Sequence, residues 1–338
     1  MRSPHAHFLN SEPSAGTLEA CHFVQQARST DIDDQAAMLA GWEQSYIQCE
    51  NGSFEAAVHA LTLPNSNLFR KSTNRKLQKR FAPPLNVTAF AVLLSGSDPA
   101  IFQGRPVESG DVLLMAGGRE HELICHGAFN TVVATLPNSE AYLTTAGNSF
   151  DMTNSSVVKG AGAARLGEWL ERVLHEPPGF PGAGVAADLA DIQDEMARKC
   201  VELVCVRDHV AREAKPYERV RATQIFATLR AFVIDHLRVH DEIPTLALVV
   251  DKLGISIRTL EYTCKSLLKV SPQRYLTCWR LHCARRDIRA QAESGSITDI
   301  ALKWGFSHLG RFSIAYRELF GERPSSTLTA SRIAMAMG

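Results

Sequence analysis

Two groups of residues have the types and spacing to do chemistry. The first is a run of arginines: Arg274, Arg280, Arg285, Arg286 and Arg289 surround an apolar set of Tyr275, Leu276, Trp279, Cys283 and Ile288. A guanidinium is a planar fork of donors that fits phosphate, or bidentately the O6 and N7 of guanine. The chemistry on offer is therefore recognition of a polyanion. The second group is Glu120, His121, Glu122, Cys125 and His126, all potential metal ligands. On a strand, positions 121, 123 and 125 share one face and 126 points to the other. The two histidines do not converge, and we expect hydrogen-bonded or solvated side chains and no metal. His22 and His59 are isolated. The eight cysteines (21, 49, 125, 200, 205, 264, 278, 283) contain no CxxC pair. Cys200/Cys205 and Cys278/Cys283 are spaced five apart, which is not a usual zinc spacing. They are expected to be reduced thiols of a cytoplasmic protein. No GxSxG, Walker A, GxGxxG or HExxH pattern occurs, so neither an enzyme nor a cofactor is expected.

The arginines must be positioned by something, and the flanking sequence supplies it twice. In 244–265, Thr245 is a fitting N-cap, Leu246, Val249, Val250 and Leu253 form an apolar stripe, Gly254 can reverse the chain, and Ser256 caps a second helix. That second helix buries Leu260 and exposes Arg258, Glu261, Tyr262 and Lys265. In 296–320 the layout recurs: Ser296 or Thr298 starts a helix with Ile297, Ile300 and Ala301 inward, Trp304-Gly305-Phe306 turns, and Ser307 caps a helix burying Phe312 and Tyr316. Each is a helix-turn-helix. Pro272 opens the arginine-bearing helix between them. At about 1.5 Å per residue it is about 28 Å long, near the ~34 Å between successive major-groove faces. Charge agrees: residues 1–217 hold 18 Lys and Arg against 25 Asp and Glu, whereas residues 218–338 hold 18 against 11. A basic half joined to an acidic one suits a nucleic-acid module fused to something else.

The remainder reads as a second domain, in line with 338 residues. Residues 1–20 form a polar arm without periodicity. A helix is expected over 31–52 from Ile32, Ala36, Leu39 and Trp42. Short strands follow at 53–63, 87–95 and 111–115, punctuated by Pro64, Pro83-Pro84 and glycine turns, and they suggest a small antiparallel barrel or sandwich ending near Pro137. Helices are expected at 162–175, over 187–213 and from Pro216 to 240. The stripe of Leu189, Ile192, Met196, Cys200, Leu203 and Val206 is either intrachain core or a dimer seam. No apolar run approaches the ~18–20 residues of a membrane span, and no secretory leader is apparent.

Residues 296–324 resemble the signature of the AraC/XylS transcription regulators, through Ile297, Asp299-Ile300-Ala301, Gly305-Phe306, Phe312, Phe320-Gly321 and Pro324. Ser271-Pro272, Tyr275-Leu276, Arg280-Leu281 and Ala284-Arg285 are similar to the family's linker helix. The first unit departs at Cys264, Lys269 and Val250, where an aromatic, a glycine and an alanine are usual. The N-terminal part resembles the family's cupin-like sensory domain, and 33–84 is similar to regulators of ethanolamine and other amine catabolism. The resemblance implies an α+β chain: a flexible arm 1–20, a cupin-like antiparallel β effector-sensing domain 21–150, a helical coupling or dimerisation region 151–215, and an all-α double helix-turn-helix domain 216–338 with its core at 240–328. It implies base contacts from Arg258, Glu261 and Tyr262, and from His308, Leu309, Gly310, Arg311 and Ile314. Lys265, Arg280, Arg285 and Arg317 would meet phosphates or cap helix C-termini. Promoter DNA, a small-molecule effector, RNA polymerase and a second copy of the chain are the implied partners, in the cytoplasm, with activation as the outcome. Trp42, Tyr46, Phe54, Phe69, Phe90 and Phe102 could line an effector pocket or be ordinary core, with Arg70, Arg119 or Glu120 adding polar selectivity. Two other classes compete: a regulator answering a protein partner, and a DNA-binding repair enzyme. The repair enzyme needs a reactive thiolate in a Pro-Cys-His-type context, which none of the eight cysteines offers.

Overall fold

The computed structural model describes residues 24–94, 96–138, 156–175, 185–205, 217–290 and 295–337. The expected arm at 1–20 lies outside them. The chain divides into two compact units. The first is Met1–Tyr46, Glu55–Asn74 and Lys79–Ala214; the second is Ile47–Phe54, Arg75–Gln78 and Lys215–Gly338.

The first unit is built on two β-sheets. Its strands are β1 (Val24–Ser29), β2 (Glu43–Gln48), β3 (Ala56–Thr62), β4 (Asn67–Thr73), β5 (Leu77–Ala82), β6 (Val87–Leu93), β7 (Ala100–Phe102), β8 (Arg105–Val107), β9 (Val112–Ala116), β10 (His121–Cys125), β11 (Phe129–Pro137) and β12 (Ser156–Val158). The larger sheet runs β1-β3-β4-β11-β6-β9-β12 and the smaller β2-β5-β10-β7-β8. Within the larger sheet β4, β6 and β11 pair antiparallel, with Val132 opposite Val92 and Arg70, and Val133 opposite Ala91 and Phe69. Both faces of that sheet are covered. Leu68, Phe90, Val92, Val112, Leu114, Val132 and Ala134 pack against helices α2 (Ala161–His175) and α3 (Val185–Cys205). Their alternate neighbours Phe69, Ala89, Ala91, Leu93, Leu113 and Val133 pack with Phe102, Leu123 and Cys125 of the smaller sheet. A sheet buried on both sides has no polar face, so its strands read as continuous apolar runs rather than alternation.

The structure differs from the sequence reading at one element and bears on one pair of alternatives, for the 189–206 stripe, whose Val206 lies outside the described residues. The expected helix over 31–52 is only α1 (Ile32–Ala37), capped by Asp31, whose carboxylate accepts from the Asp33 and Asp34 N–H groups at 2.8 and 3.0 Å. Gly41, at φ 75°, follows, and the chain becomes strand β2. The stripe Leu189, Ile192, Met196, Cys200 and Leu203 lies wholly inside the core beneath the larger sheet, so it is intrachain packing rather than a seam.

The second unit is helical: α4 (Tyr217–His240), α5 (Leu246–Leu253), α6 (Ile257–Leu268), α7 (Pro272–Ala290), α8 (Ile297–Lys303), α9 (Leu309–Phe320) and α10 (Pro324–Met337). Two short pieces of early chain belong to it. Gln48 is the donor in two bonds to the helices: its backbone N–H donates to His282 Nε2 at 2.8 Å, and its side-chain amide nitrogen donates to the Leu319 carbonyl at 2.6 Å. The Tyr275 hydroxyl donates to Gln78 Oε1 at 2.7 Å.

Candidate nucleic-acid interface and cavity

Thr245 Oγ1 accepts from Leu248 N–H at 3.2 Å and Ser256 Oγ from Thr259 N–H at 3.1 Å, which starts α5 and α6 one after the other. Between them Gly254 sits at φ 61°, the left-handed region that an L side chain enters only at a cost. In the second unit Ser296 caps α8, accepting from Asp299 N–H at 3.4 Å, and Gly305 turns at φ 80°. Ser307 does not cap α9: His308 occupies the N-cap position and makes no side-chain capping bond.

The backs of both second helices are anchored. Leu260, Cys264, Leu267 and Leu268 of α6 are buried. Phe312, Tyr316 and Phe320 of α9 meet edge to face in sequence with centroids 5.6 and 4.7 Å apart, and Phe306 from the turn meets Phe312 at 5.0 Å. Helix α7 holds the second unit through Asp287, which accepts from Trp304 Nε1 and Lys303 Nζ, each at 2.9 Å.

With the backs fixed, the fronts are left to solvent. Arg258, Glu261, Tyr262 and Lys265 are exposed on α6, and His308, Leu309, Gly310, Arg311, Ile314 and Arg317 at or along α9. Tyr262 and Ile314 are 57% and 53% exposed, unusual for such side chains away from an interface. Arg221 of α4 borders the same open groove as Arg258 and Tyr262, a space of about 400 Å³. The sequence reading passed over Arg221 because it lies outside both helix-turn-helix repeats.

Two expected phosphate contacts are placed elsewhere. Arg285 is buried, paired with Glu322 at 2.8 Å and stacked 4.8 Å from the Phe320 ring centroid. It ties α7 to the residues that lead into α10, with its guanidinium held in the interior. The periodicity of α7 is what hid this: arginine at a buried helix position looks the same in sequence as arginine at an exposed one. Arg280 is half-buried and donates to the Pro244 carbonyl at 3.3 Å, and burial lowers its pKa.

In the first unit, Trp42, Tyr46 and Phe69 come together around a narrow cavity of about 50 Å³, with Gln44, Lys71, Lys79, Phe81, Phe129 and Thr131 also lining it. The other six residues suggested for an effector do not line it. Phe90 faces the opposite side of the larger sheet, towards α2 and α3, because it is one residue out of phase with Ala89 and Ala91. Arg70 is likewise out of phase with Phe69 and pairs with Glu171 of α2 at 3.4 Å. Arg119 is exposed, and Glu120 pairs with Arg80. Phe102 is core and Phe54 belongs to the second unit. The signal for Lys71 and Lys79 was present in the sequence. In Phe69-x-Lys71-x-Thr73 and Leu77-x-Lys79-x-Phe81 a lysine stands at the inward phase of a strand.

Lys71 Nζ donates to Gln44 Oε1 at 2.7 Å and to the Tyr46 hydroxyl, and lies 4.8 Å from the Tyr46 ring centroid. Lys79 Nζ donates to Thr73 Oγ1 at 3.3 Å and lies 5.8 Å from the Tyr46 and 4.7 Å from the Phe129 ring centroids. Burial lowers both lysines, strongly for Lys71, which the Lys79 ammonium lowers further, while Cys125 beside them works in the opposite direction. Burial raises Tyr46 and Cys125 beside them. His121 Nε2 donates to the Ala116 carbonyl, 3.0 Å away, and the ring stacks with Phe81 and Phe102. Among the described residues no cluster of three His, Cys, Asp or Glu could hold a metal, and no helix is long and apolar enough to cross a membrane.

Residues 249–330 match the family model described as a helix-turn-helix domain, and these residues span both repeats and the helix between them. They form a helix-turn-helix domain of the AraC/XylS type. Curated relatives align with part of the chain. A probable thc operon regulatory protein of Rhodococcus erythropolis is 39% identical over 97 residues, 28% of this chain and 29% of the relative. The XylDLEGF operon transcriptional activator 2 of Pseudomonas putida is 41% identical over 64 residues, 19% of this chain and 41% of the relative. The transcriptional activator RhaS of Escherichia coli is 38% identical over 96 residues, 28% of this chain and 33% of the relative. The chain thus spans well under half the length of these relatives. Among solved structures, the AraC-like transcriptional activator CuxR is 16% identical, covers 82% of this chain and 99% of its own, and superposes with a TM-score of 0.41. A likeness at that score carries no argument about this chain.

Proposed function

We propose that this protein is a sequence-specific DNA-binding transcription regulator. In this reading α6 and α9 enter successive major grooves, and the β-sheet unit binds a small-molecule effector that sets how they are presented. The observation that carries it is the duplicated arrangement itself. Two capped helix, glycine turn, helix units each bury one side of their second helix and leave a row of Arg, Tyr, Ile and His on the other. A buried back and a mixed polar and apolar front suit base edges, which offer acceptors at guanine and a methyl at thymine. Arg258 and Arg311 read bases; Lys265 and Arg317 meet phosphates. Two relatives are named as activators, which supports activation through RNA polymerase, with the chain acting as a homodimer in the cytoplasm.

The effector reading has its support in the cavity and in the course of the chain. Strand β2 carries Tyr46 at the cavity and, two residues on, Gln48 on His282; strand β5 carries Lys79 at the cavity and Gln78 on Tyr275. A ligand that shifts either strand by a fraction of an ångström pulls on α7 through the backbone. A ligand with unequal affinity for two arrangements then shifts their populations. The test is footprinting of the full chain on its own promoter region, followed by a base-substitution scan. Protection of sequence in adjacent helical turns, lost on substitution at particular pairs, is expected. Uniform binding to unrelated DNA would overturn sequence-specific reading.

A further inference from the structure

We infer that the cavity between the two sheets takes a carboxylate with a small apolar body, its anion held by Lys71 and Lys79; this rests on the effector reading above and names the ligand's chemistry. The two lysines are the reason. Each is under a tenth exposed, and among the described residues neither has a carboxylate within ion-pair distance. Their polar partners are neutral oxygens, Gln44 Oε1, the Tyr46 hydroxyl and Thr73 Oγ1, together with the Cys125 thiol, whose pKa burial raises, and aromatic faces. An ammonium removed from water and not paired with an anion is expensive to keep, and two that face one ring are more so. A fold that needed only packing here would be served better by methionine or leucine at both strand positions. What resolves the cost is an anion that arrives with the ligand.

The rest of the lining chooses among anions. Apart from Gln44, Tyr46 and Thr131 the walls are apolar, from Leu113, Met115, Leu123 and Val133 to the rings of Phe69 and Phe129. A phosphate monoester would bring two charges and three oxygens into a space with few donors to satisfy them. A cation would be repelled, and a neutral polyol would leave both ammonium groups unpaired. A monocarboxylate matches two ammonium groups at one end and hydrocarbon at the other. Size limits its body. At about 10–15 Å³ per water, a cavity of about 50 Å³ holds a few waters. A short aliphatic chain enters as the site stands, while a phenyl ring requires the half-buried Trp42 and Phe81 at the rim to move.

The test uses the full chain and isothermal titration with propionate, butyrate and benzoate, each beside its amide, and with benzylamine. Wild type should bind at least one acid and bind the matching amide about 30-fold or more weakly, the penalty for losing one side of a buried charge pair. Lys71→Met and Lys79→Met should keep the wild-type circular dichroism and melt at or above the wild-type temperature, yet lose the preference for acid over amide. Equal binding of acid and amide, an unchanged preference in both variants, or silence of all three acids would each overturn the carboxylate assignment. Failure of the regulatory reading looks different: acids bind as expected, but operator affinity measured with saturating acid stays the same. If an amide or amine binds and shifts operator affinity while the acids do not, the regulatory reading stands and this inference falls.

Discussion

An arginine's contribution depends on what its guanidinium already holds, and the second unit contains both cases. Arg311 is exposed at the start of α9, so truncation removes only what it gives to DNA. Arg311→Ala should weaken operator binding by about 1–3 kcal/mol and relax one base preference, whereas Arg317→Ala should weaken all sequences alike and flatten the salt dependence; gel-shift titrations on the operator and on single-base variants separate them. Glu322 is the opposite case, since it accepts from buried Arg285 and from Thr327 Oγ1 at 2.9 Å. Glu322→Ala strands a guanidinium in the core and should cost about 3 kcal/mol in urea unfolding, with little change in base preference. The lysine pair gives a third expectation, through pH. Both have folded pKa values below their ordinary 10.5. Between those lowered values and 10.5 the unfolded chain holds more protons than the folded one, so stability from this pair rises with pH across that window. Burial raises the titratable groups facing them, Tyr46 from β2 and Cys125 from β10. Thermal melts of wild type and Lys71→Met across the alkaline range should converge as pH rises, the variant being the more stable near neutrality.

Single elements were legible to different degrees. The boundaries of α5 to α9 followed from caps, glycine turns and helical spacing, because each signal is local and the packing agrees with it. The first β unit yielded less. Strands β4 and β5 went unread because their inward lysines, Lys71 and Lys79, looked like ordinary surface charges. Helix α1 stopped short of its apparent pattern because Trp42 and Leu39 serve a strand-lined core beyond Gly41. At the end of α6 the departure visible in sequence has a physical form. Lys269 takes the left-handed conformation, φ 58°, that glycine accepts freely. Relief of that strain, less the entropy glycine loses on folding, should make Lys269→Gly more stable by about 0.5–1 kcal/mol. Chemical denaturation checks it, and equal or lower stability would mean the Lys269 side chain contributes more than its backbone costs.

Across the whole molecule, the uneven charge was visible from composition alone, with the C-terminal 218–338 carrying the excess of Lys and Arg. Which of those cations face outward was not, because Arg285 and Arg311 differ only in phase on their helices and in what lies behind them. The β unit's cavity was also beyond reach: its lining comes from β2, β4, β5, β9, β10 and β11, strands far apart in the chain that only the sheet order brings together. Trp42, Tyr46 and Phe69 could be named as aromatics, yet nothing local separated them from Phe90, one strand position out of phase.

Gln48 and Gln78 have a consequence for anyone who would take the protein apart. A cut near residue 215 looks natural from the order of elements, but it severs 47–54 and 75–78 from the helices they bond. The released helical fragment would carry an unmatched tyrosine hydroxyl at 275, an imidazole at 282 without its amide, and a bare carbonyl at 319. The two halves are stitched rather than strung. A replacement for the helical part would need partners for those twelve residues rebuilt on α7 and α9.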